Sequence, residues 1–171
     1  LKTDTHVVLP YAQRLEQLPD FLQQLSMESN GKRVDLSGKP LALPSAPVLW
    51  GSAGTIGQHS YYQLLHQGNR HFSVDIILPL SQEGKDLDAQ RKLVANALAQ
   101  SRALLVGRDQ SAAQQLAAER GQPESFAAHY EMPGNHPHSL LYFDAVTPEI
   151  LGALIAAYEH KTFFLSRLLG I

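Results

Sequence analysis

No cysteine occurs among the 171 residues, so neither a disulfide nor a thiolate metal site can form, which fits a cytoplasmic protein. Long apolar runs are missing as well. None approaches the roughly 18 to 20 residues a helix needs to cross a bilayer, and the N-terminus lacks the basic, apolar, small-residue order of a signal peptide, so no membrane partner is expected. An excess of positive charge is also absent: 14 Lys and Arg stand against 16 Asp and Glu, a formal net charge of -2. The basic residues are scattered, which removes the electrostatic footprint of a nucleic-acid binder. Internal repeats and low-complexity tracts are lacking.

What remains is a chain long enough to bury a sizeable core in one compact domain, with no obvious internal boundary. It opens on Leu1 and stops at Ile171, just after the apolar run "TFFLSRLLGI". An apolar surface of that extent normally requires a covering, so native sequence is expected to be missing at both ends.

Strand-like and helix-like blocks alternate. "HVVLPY" (6–11) is a short apolar run closed by Pro10. "RLEQLPDFLQQLSM" has apolar residues at helical spacing, with Pro19 marking a break or the first turn of a second helix. "GKRVDLSGKPLALPSAP" is turn-rich, a small excursion or hairpin before the strand "PVLWG" (47–51). "TIGQHSYYQLLHQG" reads as one helix closed by Gly68, and "HFSVDIILPL" is the clearest strand. Its near-continuous apolar run is what a strand covered on both faces requires. Two further helices, each closed by glycine, lead to the strand "HSLLYFD" (138–144) and a long helix with Thr147 as N-cap and Pro148 at its first position. Strands separated by helix-length segments pair in parallel, so the expected fold is α/β: a three-layer α/β/α sandwich around a mostly parallel sheet.

In such sheets ligands gather at the carboxyl ends of the strands. "WGSAGTIGQH" (50–59) places three glycines between a strand and a helix, where exposed N–H groups could face an anion or a sugar hydroxyl. The same pattern serves equally as tight turn geometry, and His59, in the first turns of that helix, taken alone reads more readily as structural than catalytic. Of eight histidines the best local pair, His136 and His138, makes a poor cage without a third ligand, so no metal site is expected. "YEHK" (158–161) points its side chains to different sides of one helix, some of them buried and paired. No Walker loop, G-x-S-x-G elbow or dinucleotide fingerprint is present, and no cofactor is expected.

Three blocks in register change the weight of these motifs. "MESNGK" (27–32), "WGSAGTIGQHSYYQLLHQG" (50–68) and "LGALIAAYEHK" (151–161) resemble the C-terminal half of the phosphoglucose isomerase family, the glucose-6-phosphate isomerases built from two sugar isomerase (SIS) domains. The likeness runs from "PYAQRL" to "HKTFF". It implies one SIS domain over residues 1–171, the C-terminal one of a two-domain, homodimeric enzyme that interconverts glucose 6-phosphate and fructose 6-phosphate. It also implies roles. Glu28 would shuttle a proton between C1 and C2 of the open-chain sugar through a cis-enediol. His59 would assist ring opening, reaching into the neighbouring subunit's site, and Gln24 would contact the substrate. Glu28 and His59 lie 31 positions apart, the family's interval.

The sequence also departs from the family. Its "WGEPGTNGQH" reads "WGSAGTIGQH" here, with Ser52, Ala53 and Ile56 replacing an acid, a proline and an amide. Its "EGNRPTNS" reads "PGNHPHSL" (133–140). The resemblance further places a phosphate-binding Ser/Thr loop and an active-site arginine upstream of this chain, and a ring-opening lysine after Ile171. The chain alone is therefore expected to be a very poor isomerase. The competing reading is a non-catalytic SIS module that binds a sugar phosphate, and the presence of both Glu28 and His59 argues against it.

Overall fold

A computed structural model describes residues 3–81 and 86–171. Its centre is a four-stranded, all-parallel sheet in the order β2-β1-β3-β4. The strands are β1 (Thr5–Pro10), β2 (Val48–Gly51), β3 (Phe72–Pro79) and β4 (His138–Phe143). Register runs Val7 opposite Trp50 and Val74, and Ile76 opposite Leu140. The chain thus steps from the central β1 outwards to β2, then crosses back to the other side.

Alternation along the two central strands sorts the core into two layers. Val7, Leu9 and Tyr11 on β1 and its exit join Phe72, Val74, Ile76 and Leu78 of β3 on one face. Against them pack Tyr62 and Leu65 of α3 (Tyr62–Gln67) and Ala97 and Leu104 of α4 (Leu87–Val106). Val8, Leu49 and Ile77 face the other way, against Leu18 and Leu22 of α1 (Leu18–Gln23) and Leu154 and Tyr158 of α6 (Pro148–Leu169). Both faces of β1 and β3 are covered, which is why their sequences read as near-continuous apolar runs rather than alternating ones. Among the described residues no helix is long and apolar enough to cross a membrane.

Helix starts follow their capping chemistry. Asp86 accepts from the Ala89 amide at the head of α4, Asp109 from Ala112 at the head of α5 (Gln110–Glu119), and Thr147 from Ile150 at the head of α6. Pro19 sits in the first turn of α1, preceded by a separate 3-10 turn at Gln13–Leu15, so the proline does open a second helix. The turn-rich excursion closes through an antiparallel bridge between Val34 and Pro40 and is tied to the end of α6 by Leu36 N–H donating to the Gly170 carbonyl.

One expectation fails. The segment 55–68 is not one helix. It forms the single turn α2 (Gly54–Gly57), a tight turn through 58–61, and then α3. The amides of His59 and Ser60 donate to Ile56 and Gly57 at 3.1 and 3.0 Å, spans of three residues rather than four. Packing is the reason. Tyr61 and Tyr62 stack on each other, and Tyr61 also meets Trp50 edge-on at 4.7 Å. Adjacent positions on a continuous helix point about 100° apart and could not both enter this aromatic layer. His59 therefore lies in the turn between two short helices, not within a helix.

Candidate active site

Glu28 ends an unusual element. Behind α1 the chain continues as a π-helical turn over Gln24–Glu28, and such turns concentrate at functional sites. Gln24 and Glu28, at its two ends, are both exposed, while Leu25, Ser26 and Met27 between them are half-buried. The turn is held from beneath. Met27 Sδ accepts from the Leu49 amide of β2 at 3.4 Å, and Asn30 Nδ2 donates to the Thr162 carbonyl of α6 at 2.9 Å. From the far side, Lys32 Nζ donates to the Glu28 carbonyl at 2.9 Å.

These anchors place Glu28 towards the amino ends of the strands, since Leu49 is the second residue of β2 and pairs with His6 near the start of β1. His59 follows the other end of β2, beyond Gly51. The rule that sites gather at strand carboxyl ends leads to His59 and misses Glu28. The two candidate catalytic side chains lie towards opposite ends of the sheet, so one chain does not bring them together, whereas Gln24 and Glu28 share one exposed turn.

The turn carrying His59 rests on a bed of tyrosines. Tyr11, just past β1, pairs its hydroxyl with that of Tyr62 at 2.9 Å and accepts from Gln58 Nε2 at 3.2 Å. Gln58, the neighbour of His59, donates also to Asn96 on α4 at 2.6 Å. Burial raises the pKa of Tyr11, Tyr61 and Tyr62 above that of a free phenol, so all three hydroxyls stay protonated and act as hydrogen-bond groups, not as bases. Ser52 hydrogen-bonds the Tyr61 hydroxyl at 2.7 Å and so belongs to the same bed. Glycine is obligatory in this loop for space: a Cβ at Gly54 would lie 2.3 Å from the Tyr11 ring. Tyr11→Phe strips a partner from the buried Tyr62 hydroxyl and one of two acceptors from Gln58. A loss of about 1 to 3 kcal/mol is expected in urea unfolding, and an unchanged midpoint would contradict this account of the loop.

A second polar cluster takes in Tyr158 and Lys161 of the 158–161 stretch, where buried and paired side chains were expected, but its partners on the strands were not anticipated from the sequence. Asp75 of β3 receives the Tyr158 hydroxyl at 2.9 Å, faces His6 Nε2 at 2.9 Å, and has Lys161 Nζ at 3.9 Å. Burial pushes the Asp75 carboxyl up, but the His6 hydrogen bond and charge, Lys161 and Tyr158 outweigh it and hold the group below the usual carboxylate range. The available signal was one titratable residue in each of two apolar strands, His6 in "HVVLPY" and Asp75 in "SVDIIL", with parity placing both on the α6 face.

Four histidines also converge. His136 stacks on Phe72 at 4.6 Å, with His66, His138 and His71 close enough to affect its charge. Among the described residues no group of three or more His, Cys, Asp or Glu side chains is arranged to hold a metal ion. Burial, then the charges of His66, His138 and His71, lowers the basicity of His136 below its ordinary 6.5. The native state therefore favours the neutral imidazole. Its stabilising contribution is complete above pH 6.5 and is lost as pH falls through the depressed native value, because the unfolded chain takes up the proton first. His136→Phe should flatten the loss of melting temperature between pH 7.5 and 5.5. An unaltered slope would sink the assignment.

Fold and site together define a doubly wound, parallel α/β domain with a carboxylate on a π-turn and a glycine-rich loop after a strand. Comparison with known proteins makes this specific. Residues 1–171 match the family model for phosphoglucose isomerase, and the chain belongs to that family. It is 47% identical to the glucose-6-phosphate isomerase of Saccharophagus degradans, over 100% of this chain and 32% of that protein. To the same enzyme of Cereibacter sphaeroides it is 47% identical, over 98% of this chain and 32% of that one. It thus spans about a third of the length of the curated relatives it matches. A crystal structure of a glucose-6-phosphate isomerase from Chlamydia trachomatis superposes with a TM-score of 0.81 at 36% identity, covering 99% of this chain and 31% of the other. A hypothetical protein from Thermus thermophilus shares the fold, with a TM-score of 0.64 at 23% identity, over 98% of this chain and 37% of its own.

Proposed function

We propose that this chain is the C-terminal SIS domain of an aldose-ketose isomerase that interconverts glucose 6-phosphate and fructose 6-phosphate in glycolysis and gluconeogenesis. The observation that carries the reading is family identity along the whole chain combined with Gln24 and Glu28 presented on one exposed π-turn. Glu28 is the base that moves a proton between C1 and C2 by way of a cis-enediol, Gln24 contacts the sugar, and His59 serves ring opening. Cytoplasmic location follows from the same reading.

Geometry supports a site assembled from more than this chain. A carboxylate that moves a carbon-bound proton works best shielded from bulk water, yet Glu28, Gln24 and His59 are all exposed here. Glu28 and His59 also belong to different ends of the sheet. A homodimer, in which His59 of one subunit reaches the site containing Glu28 of the other, satisfies both facts, and the remaining length seen in the relatives would supply the phosphate-binding surface.

The test is a coupled glucose 6-phosphate isomerisation assay on this chain and on the product of the longest reading frame containing it. Turnover by the longer form and none above background by the isolated chain is the expected result. Inactivity of both would overturn the enzymatic reading in favour of a sugar-phosphate-binding module.

A further inference from the structure

A proton-moving carboxylate must be held in place, and a π-turn is a poor holder by itself because its wide hydrogen-bonded ring is intrinsically less favourable than an α-helical one. The turn ending at Glu28 draws its rigidity from elsewhere, through a connected path in the core. Asn30, two residues past Glu28, is 2% exposed and spends its side-chain donor on the Thr162 carbonyl at 2.9 Å. One turn earlier on α6, Tyr158 donates to Asp75 at 2.9 Å. Asp75 in turn faces His6 at 2.9 Å, and the second ring nitrogen of His6 meets Ser73 Oγ at 2.8 Å. Glu28's turn, α6, β3 and β1 are thus linked by side-chain hydrogen bonds joined through one turn of the α6 backbone.

This cluster is an expensive way to hold a helix against a sheet. Well-packed apolar residues of similar volume would stabilise the fold as well or better, so stability alone does not explain a buried carboxylate here. What directional hydrogen bonds add is a fixed height and rotation of α6, because Tyr158 reaches Asp75 in only one register. That register sets where the Thr162 carbonyl stands, and so where Asn30 and the end of the π-turn stand.

We propose that Asn30, backed by the His6–Asp75–Tyr158 cluster through α6, is a positioning device for Glu28. The inference deepens the isomerase reading and rests on it. None of these residues touches the reacting carbons; each acts through the placement of the carboxylate.

The product of the longest reading frame containing this chain is assayed for kcat, KM and melting temperature as wild type, Glu28→Gln, Asn30→Ala, Tyr158→Phe and the Asn30→Ala/Tyr158→Phe double variant. Each single positioning variant is expected to lower kcat by about tenfold to a hundredfold with KM within about twofold, the scale of a small misplacement of a reacting group. The double variant should lose little more than the worse single, because both act on one path, whereas two independent defects would multiply. Kcat within about twofold of wild type in both single variants, or losses that multiply, overturns the proposal even where melting temperatures fall. Should Asn30→Ala fail to fold, the shape-preserving Tyr158→Phe decides through the same split of kcat against KM. An inactive wild type signals failure of the isomerase reading itself; an active wild type abolished by Glu28→Gln, beside silent positioning variants, signals failure of this inference alone.

Discussion

Glu28→Gln in the product of the longest reading frame containing this chain is expected to lower kcat by about a thousandfold while leaving KM within a few-fold. The amide keeps the size and hydrogen-bonding reach of the carboxylate but cannot accept the carbon-bound proton, and a positioned acid-base group contributes about a hundredfold to ten-thousandfold. Because the side chain is exposed at the end of its turn, the substitution should leave the melting temperature nearly unchanged. That separation makes the experiment decisive. A drop in kcat with an intact fold identifies Glu28 as chemistry, an unchanged kcat removes it from the mechanism, and a raised KM at constant kcat reassigns it to binding. A further discriminating readout is exchange of the C2 proton with solvent, which should disappear together with turnover.

The second large effect concerns stability. Gly51 closes β2 opposite Val8 of β1, and a Cβ there would stand 2.0 Å from the Val8 carbonyl oxygen. Backbone, not a flexible side chain, occupies the space, so relief requires the two strands to part at the entry to the glycine-rich loop. Gly51→Ala is expected to cost about 3 kcal/mol or more in urea unfolding, at the upper end of overpacking penalties. A shift of about 6 to 12 °C in melting temperature should accompany it. Gly152→Ala is the matched control. That glycine lies inside α6 with nothing within 4 Å of an added Cβ, so alanine should stabilise by about 0.5 to 1 kcal/mol through helix propensity. If the two substitutions behave alike, the close approach at Gly51 has no energetic meaning.

The same contrast shows how much of the molecule was legible beforehand. β1 and β3 could be read from their near-continuous apolar runs, and the start of α6 from Thr147 and Pro148, because burial on both faces and capping are local statements that a chain carries in its spelling. The helix expected over 55–68 failed for the opposite reason. Nothing near Tyr61 in the sequence reveals that Trp50 and Tyr11 will come to lie against it and its neighbour, and the aromatic layer overrode the propensity of the segment. Asp75 and His6 were visible only as polar interruptions in two strands 69 positions apart in the chain. Their partnership exists because β1 and β3 pair side by side.

Glu28, Gln24 and His59 were found by resemblance of motifs, not by periodicity, and the loop-searching rule would have led only to His59. What the sequence determined by itself is the local grammar: which segments are strands, where the capped helices begin, and which family the chain belongs to. Tertiary structure alone decided that Glu28 ends a π-turn towards the amino ends of the strands, that His59 stands beyond the far end of β2, and that a buried Asp75 links two strands to α6. Those are relations between residues distant in sequence, set by the pairing of parallel strands and the volume of the side chains between layers, and no window along the chain contains both partners.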